Sequence, residues 1–102
     1  MMYKIRPTSR FQKDLKRLRK RGYDMDLLTG VLKQLAAGQA LAPSYRDHPL
    51  VGDYSGCREC HITPDWLLIY EIDGGELFLY LTRTGTPSDL FATGRYGSLS
   101  NI

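Results

Sequence analysis

The sequence predicts an α+β domain: two N-terminal helices packed on a small antiparallel sheet of about four strands, followed by a short C-terminal helical turn. Three observations carry this. Two stretches before residue 38 place apolar residues at helical spacing. Two apolar runs, Trp66-Leu67-Leu68-Ile69-Tyr70 and Leu77-Phe78-Leu79-Tyr80-Leu81, flank the turn-forming Asp73-Gly74-Gly75. The 102 residues suffice for one modest core, so residues 1–102 are expected to form a single domain.

Each element has its own local reason. Tyr3-Lys4-Ile5-Arg6 alternates apolar and basic residues and reads as a short strand, which Pro7 ends or marks as a sheet edge. Ser9 and Gln12 have capping-box spacing, so the first helix starts there. Phe11, Leu15 and Leu18 give it one apolar stripe, and Gly22 is its stop. Asp24 caps the second helix, whose buried face is expected to comprise Leu27, Leu28, Val31, Leu32 and Leu35 before Gly38 ends it. Residues 39–55 show little periodicity and read as a loop containing His48. Gly56 to Ile62 is a strand, Thr63-Pro64-Asp65 a turn, and the two apolar runs form a hairpin. Thr86, Pro87 and Asp89 sit where a helical turn wants its N-cap, its first residue and its capping partner. Residues 93–102 are patternless and read as a peripheral tail.

Charge is unevenly placed. The formal net charge is +3, yet residues 1–22 hold nine Lys/Arg and only one acid, Asp14. Seven of those cations fall within Arg10–Arg21, a segregated field that attracts polyanions such as nucleic acid. A solvated helix face is the plainer alternative. No apolar run approaches the roughly 20 residues of a membrane span. The opening Met-Met-Tyr-Lys-Ile-Arg lacks a signal-peptide core, so the expected location is the cytoplasm.

Cys57-Arg58-Glu59-Cys60-His61 has haem-attachment spacing, but it falls on an expected strand, where residues three apart point to opposite faces. The same geometry argues against a disulfide or a zinc pair, leaving two semi-buried thiols.

The chemistry-bearing residues lie between Arg46 and Phe91. Alternation places Glu59 and His61 on one strand face, and Asp65 follows across a tight turn. Arg83 ends the last strand, and a single sheet can bring it and the His48 loop to the same place. Two imidazoles, a carboxylate and a guanidinium would suit metal-free RNA cleavage. A base takes the 2′-hydroxyl proton, a cation faces the phosphoryl charge, and an acid protonates the leaving 5′-oxygen. Plainer roles exist: Asp65 can serve its turn, and Arg83 can pair with Glu71 or Asp89. Trp66 and Tyr70 read as core, and Phe91 either packs inward or stacks on a base.

Three blocks then carry a resemblance. Arg46-Asp47-His48-Pro49-Leu50, the run from Gly56 through Arg58-Glu59, His61-Ile62 and Pro64-Asp65-Trp66 to Tyr70, and Arg83-Thr84-Gly85-Thr86 with Ser88-Asp89-Leu90-Phe91 resemble the YafQ-type toxins of the RelE superfamily. The resemblance spans Tyr3 to Phe91 and implies a RelE-like fold. It implies the toxin of a type II toxin–antitoxin pair, a ribosome-dependent mRNA endoribonuclease needing no metal or other cofactor. It assigns His48, His61 and Asp65 to catalysis. Lys13, Lys16, Arg17, Lys20, Arg83 and Phe91 would contact RNA, and Glu59 matches an acidic position. The expected partners are the ribosome, mRNA and a ribbon-helix-helix antitoxin, with DNA met only through that antitoxin. One position departs: the family usually has a catalytic histidine where this chain has Pro87, which can neither donate nor accept a proton. An attenuated enzyme is the expectation. The alternatives are an inactive ribosome- or antitoxin-binding member of the same fold, or a gyrase-inhibiting toxin of the superfamily.

Overall fold

The computed structural model describes residues 2–91, so the expected tail at 93–102 lies outside the described residues. The elements are β1 (Lys4–Pro7), α1 (Ser9–Lys20), α2 (Met25–Ala36), β2 (His48–Pro49), β3 (Arg58–Thr63), β4 (Trp66–Asp73), β5 (Phe78–Gly85) and α3 (Pro87–Leu90). They form an α+β domain with one mixed sheet in the order β1-β5-β4-β3-β2.

The sheet differs from the expected four antiparallel strands in two ways. β1 lies parallel to β5, pairing Lys4 with Phe78 and Pro7 with Leu81. Parallel neighbours cannot be joined by a tight turn, and here the helices and the rest of the sheet intervene. The fifth strand, β2, is two residues taken from the expected loop, with His48 opposite Glu59.

The helices start and stop for local reasons. Thr8, rather than Ser9, caps α1: its hydroxyl accepts from Phe11 N–H at 3.0 Å and donates to the Thr82 carbonyl at 2.9 Å. Gly22, at φ 82°, lets the chain leave α1 through the left-handed region that disfavours a Cβ. Asp24 caps α2 by accepting from Asp26 N–H. Leu28, Val31, Leu35 and Ala36 are its buried positions, whereas Leu27, expected inside, is 46% exposed because it lies to one side of that stripe. Thr86 and Asp89 form the expected capping box around α3, with Pro87 at its first position.

Two apolar clusters explain the unbroken hydrophobic run in β4. Leu68 and Tyr70 join the helix-side core with Phe11, Leu18, Val31, Cys60, Leu79 and Leu81. Leu67 and Ile69 face the other way, into a second core with Leu50, Cys57, Leu90 and Phe91. A strand buried on both faces has no reason to alternate. The two thiols therefore stand in separate cores and are unbridged, as the strand reading required.

Candidate active site

The register of the sheet assembles the site. His48 pairs with Glu59, Glu59 with Ile69, and Ile69 with Arg83, forming one row across four strands. Two residues on, His61 pairs with Leu67 and Leu67 with Gly85. The two imidazole rings stand 6.5 Å apart between centroids, so segments distant in sequence do converge.

The hydrogen bonds of each ring restrict what it can do. A carbonyl only accepts, so the 2.6 Å contact from His48 Nδ1 to the Arg46 carbonyl puts a proton on Nδ1. Its Nε2 lies 3.3 Å from Glu59 Oε2. The Glu59 side chain is 1% exposed, and among the described residues neither carboxylate oxygen receives a hydrogen bond of good geometry. Burial pushes the Glu59 carboxyl above its usual range, and His48 opposes that rise. The His48 Nε2 and the buried Glu59 carboxyl thus face each other as a close contact rather than a well-formed hydrogen bond.

His61 is different. Its Nδ1 donates to the Pro64 carbonyl at 3.2 Å, and its Nε2 makes no hydrogen bond among the described residues. Burial lowers the pKa of the ring, the charges of Arg46 and His48 lower it further, and the Pro64 carbonyl opposes them. A neutral ring protonated at Nδ1 presents the Nε2 lone pair of a base. This ring, Arg46 and residues 62–64 line an open cleft of about 560 Å³.

Arg83 is not at that cleft. Its guanidinium is buried against Asp14, with Nε to Oδ2 at 2.7 Å and Nη2 to Oδ1 at 3.0 Å. Asp14 also accepts from the Thr84 N–H at 3.1 Å, covering the edge of β5 beyond the point where β1 stops. The cation beside the histidines is Arg46, exposed and left-handed at φ 52°. Its place directly before Asp47-His48 was the signal that sequence reasoning passed over. Asp14 was similarly visible as the lone acid of a basic segment, sitting in the stripe with Phe11 and Leu18.

The remaining expected residues are scattered. Asp65 is exposed in the β3–β4 turn, one residue past the carbonyl that His61 holds. Phe91 is 5% exposed and meets the Tyr54 ring edge-on at 5.7 Å, so in this conformation it packs inward rather than offering a stacking face. Lys13, Lys16 and Lys20 are exposed along α1. Arg17, at 3.8 Å from Asp89, and Arg21, which holds the same carboxylate at 2.9 Å, turn toward α3 instead. No group of three or more His, Cys, Asp or Glu side chains among the described residues is arranged to hold a metal ion.

The family described as a bacterial toxin of type II toxin–antitoxin systems, YafQ, matches residues 3–92. The chain belongs to the YafQ family. The mRNA interferase toxin YafQ of Escherichia coli K12 is 38% identical over 88 residues, which is 85% of this chain and 94% of that protein. A metal-bound toxin from Helicobacter pylori superposes with a TM-score of 0.82 at 48% identity, covering 89% of this chain and all of that one. YafQ in the E. coli DinJ–YafQ complex superposes at 0.80 with 36% identity, covering 88% of this chain and 99% of its counterpart. Five mixed strands under two helices are thus the YafQ arrangement, and the RelE-like resemblance holds for the fold.

Proposed function

We propose that this YafQ-family toxin is an mRNA endoribonuclease acting through the 2′-hydroxyl, weakened by Pro87. The observation that carries this reading is the open Nε2 of a neutral His61 beside the Arg46 guanidinium. In this mechanism, His61 takes the 2′-hydroxyl proton as the oxygen attacks the adjacent phosphorus. The bond from phosphorus to the 5′-oxygen breaks, leaving a 2′,3′-cyclic phosphate and a 5′-hydroxyl. Arg46 faces the phosphoryl oxygens, where a planar guanidinium can donate twice. Asp65 is given the orienting role, accepting a hydrogen bond from ribose or base.

The leaving oxygen needs a proton. His48 has both ring nitrogens engaged, so it can supply one only by breaking its contact with Glu59. Residue 87 follows Gly85, which shares a row with His61, so a side chain there emerges at the same end of the sheet. A family histidine at that position would supply the proton directly, and proline cannot. Losing one acid–base role costs about 10²–10⁴-fold in rate. The chemistry described uses only side chains of this chain, and cleavage in excess EDTA tests whether that suffices.

Lys13, Lys16, Lys20 and Arg17 are assigned to ribosomal RNA, the ribosome presenting the message. The cognate antitoxin is expected to resemble the DinJ partner of the E. coli relative, with a ribbon-helix-helix end and acidic groups covering α1. Such a toxin acts in the cytoplasm, and no described helix is long and apolar enough to cross a membrane. The second reading, a module that binds ribosome or antitoxin without chemistry, is favoured by the two engaged nitrogens of His48.

The test is cleavage of a translated mRNA by this chain and by Pro87→His. The expected result is slow cutting that the substitution raises by about 10²–10⁴-fold. If both forms bind ribosomes and neither cuts, the enzyme reading fails and the binding module stands.

A further inference from the structure

Asp47 lies between Arg46, which lines the cleft, and His48, whose ring stands 6.5 Å from that of His61, yet its own side chain goes the other way. Arg58 and Tyr70 are register partners in β3 and β4, and Glu59 and Ile69 are the next pair. Asp47 engages the first pair: Oδ1 accepts from Arg58 Nε at 2.8 Å, and Oδ2 accepts from the Tyr70 hydroxyl. His48 engages the second pair through Glu59. The segment thus straddles the edge of the sheet and is gripped on both sides. Tyr70 is 1% exposed and packed in the helix-side core, so its hydroxyl is a fixed anchor.

The grip has work to do. Arg46 is held in the left-handed region, which a side chain other than glycine seldom adopts unless its surroundings impose it. The 2.6 Å bond from His48 Nδ1 to the Arg46 carbonyl closes a small ring around Asp47. Releasing Asp47 would let the guanidinium leave the cleft and the imidazole leave its place beside His61. We infer that Asp47, anchored by Arg58 and Tyr70, is a positioning residue that presents Arg46 and His48 to the substrate as one rigid unit. Its effect on rate rests on the endoribonuclease reading; its effect on the His48 ring does not.

The test uses Asp47→Asn and Tyr70→Phe, each in the full chain and in the Pro87→His background. Tyr70→Phe keeps the packed ring and decides the matter if Asp47→Asn does not fold. In the folded variants, the ring nitrogen signals of His48 should move toward those of a free imidazole, and backbone exchange at His48 should speed up, while His61 is unmoved. In the Pro87→His background kcat should fall by about 10²-fold, as misplacement of reacting groups by about an ångström does, with KM for the message little changed. Lower thermal stability with His48 signals and exchange unchanged would mean Asp47 only braces the fold, and would overturn the proposal. Should the Pro87→His parent not cut, the endoribonuclease reading falls and the magnetic resonance measurements alone judge Asp47.

Discussion

Asp14 of α1 and Arg83 of β5, 69 positions apart, are locked together by two hydrogen bonds, with their side chains only 3% and 8% exposed. Arginine cannot shed its charge, so removing the acid strands a buried cation. Asp14→Ala should therefore destabilise the fold by about 3–5 kcal/mol. Urea unfolding near neutral pH measures this. A loss under about 1 kcal/mol, the range of exposed pairs, would show that the pair is effectively solvated.

Asp89 should titrate at about 2 rather than at the ordinary 3.8, chiefly because Arg21 donates to it, and also because the Thr86 N–H does, against the opposing effect of burial. A depressed acid contributes its stability above the unfolded value, and that contribution is lost as pH falls through the folded one. The capping box of α3 should thus loosen between about pH 4 and pH 2. Carboxyl carbon resonances read the titration directly. Arg21→Ala should return Asp89 toward 3.8, and an unmoved midpoint would rule out the Arg21 contact in solution.

A base works in its unprotonated form. In the Pro87→His variant, cleavage should rise with pH along a limb whose midpoint lies below 6.5, because burial and neighbouring cations lower the His61 value. His61→Gln should abolish the limb and reduce single-turnover cleavage by about 10²–10⁴-fold. A limb centred at or above 6.5 would remove His61 from the role of base.

Lys13, Lys16 and Lys20 are exposed, while Arg17 and Arg21 are drawn toward Asp89. Replacing the three lysines with alanine should weaken ribosome binding and flatten its dependence on salt. If each contacts one phosphate of single-stranded character, the slope of log K against log salt should shrink by about 2. Arg21→Ala should change that slope little. Equal effects would mean that α1 meets RNA with its whole circumference.

Much of this molecule was legible before its structure. Helical spacing located α1 and α2, Asp24 and Gly22 marked helix ends, and Thr86-Pro87-x-Asp89 described α3 down to its capping box. These features depend on residues within one turn of each other, so local chemistry suffices. The histidine motifs also pointed to residues that do meet, because a hairpin and its neighbouring strand bring β2, β3 and β4 together by short connections.

What escaped were the pairings between distant segments. Parallel docking of β1 on β5, burial of Arg83 on Asp14, and the second core that swallows Phe91 all join residues far apart in the chain. A guanidinium in sequence is only a donor; whether it meets a phosphate or a buried carboxylate depends on which helix lies beside it. The chain's own order of residues determined its elements, their caps and its family. Only the folded arrangement decided that Arg46 rather than Arg83 stands beside the histidines, because desolvation and competition for partners exist only once the segments have packed.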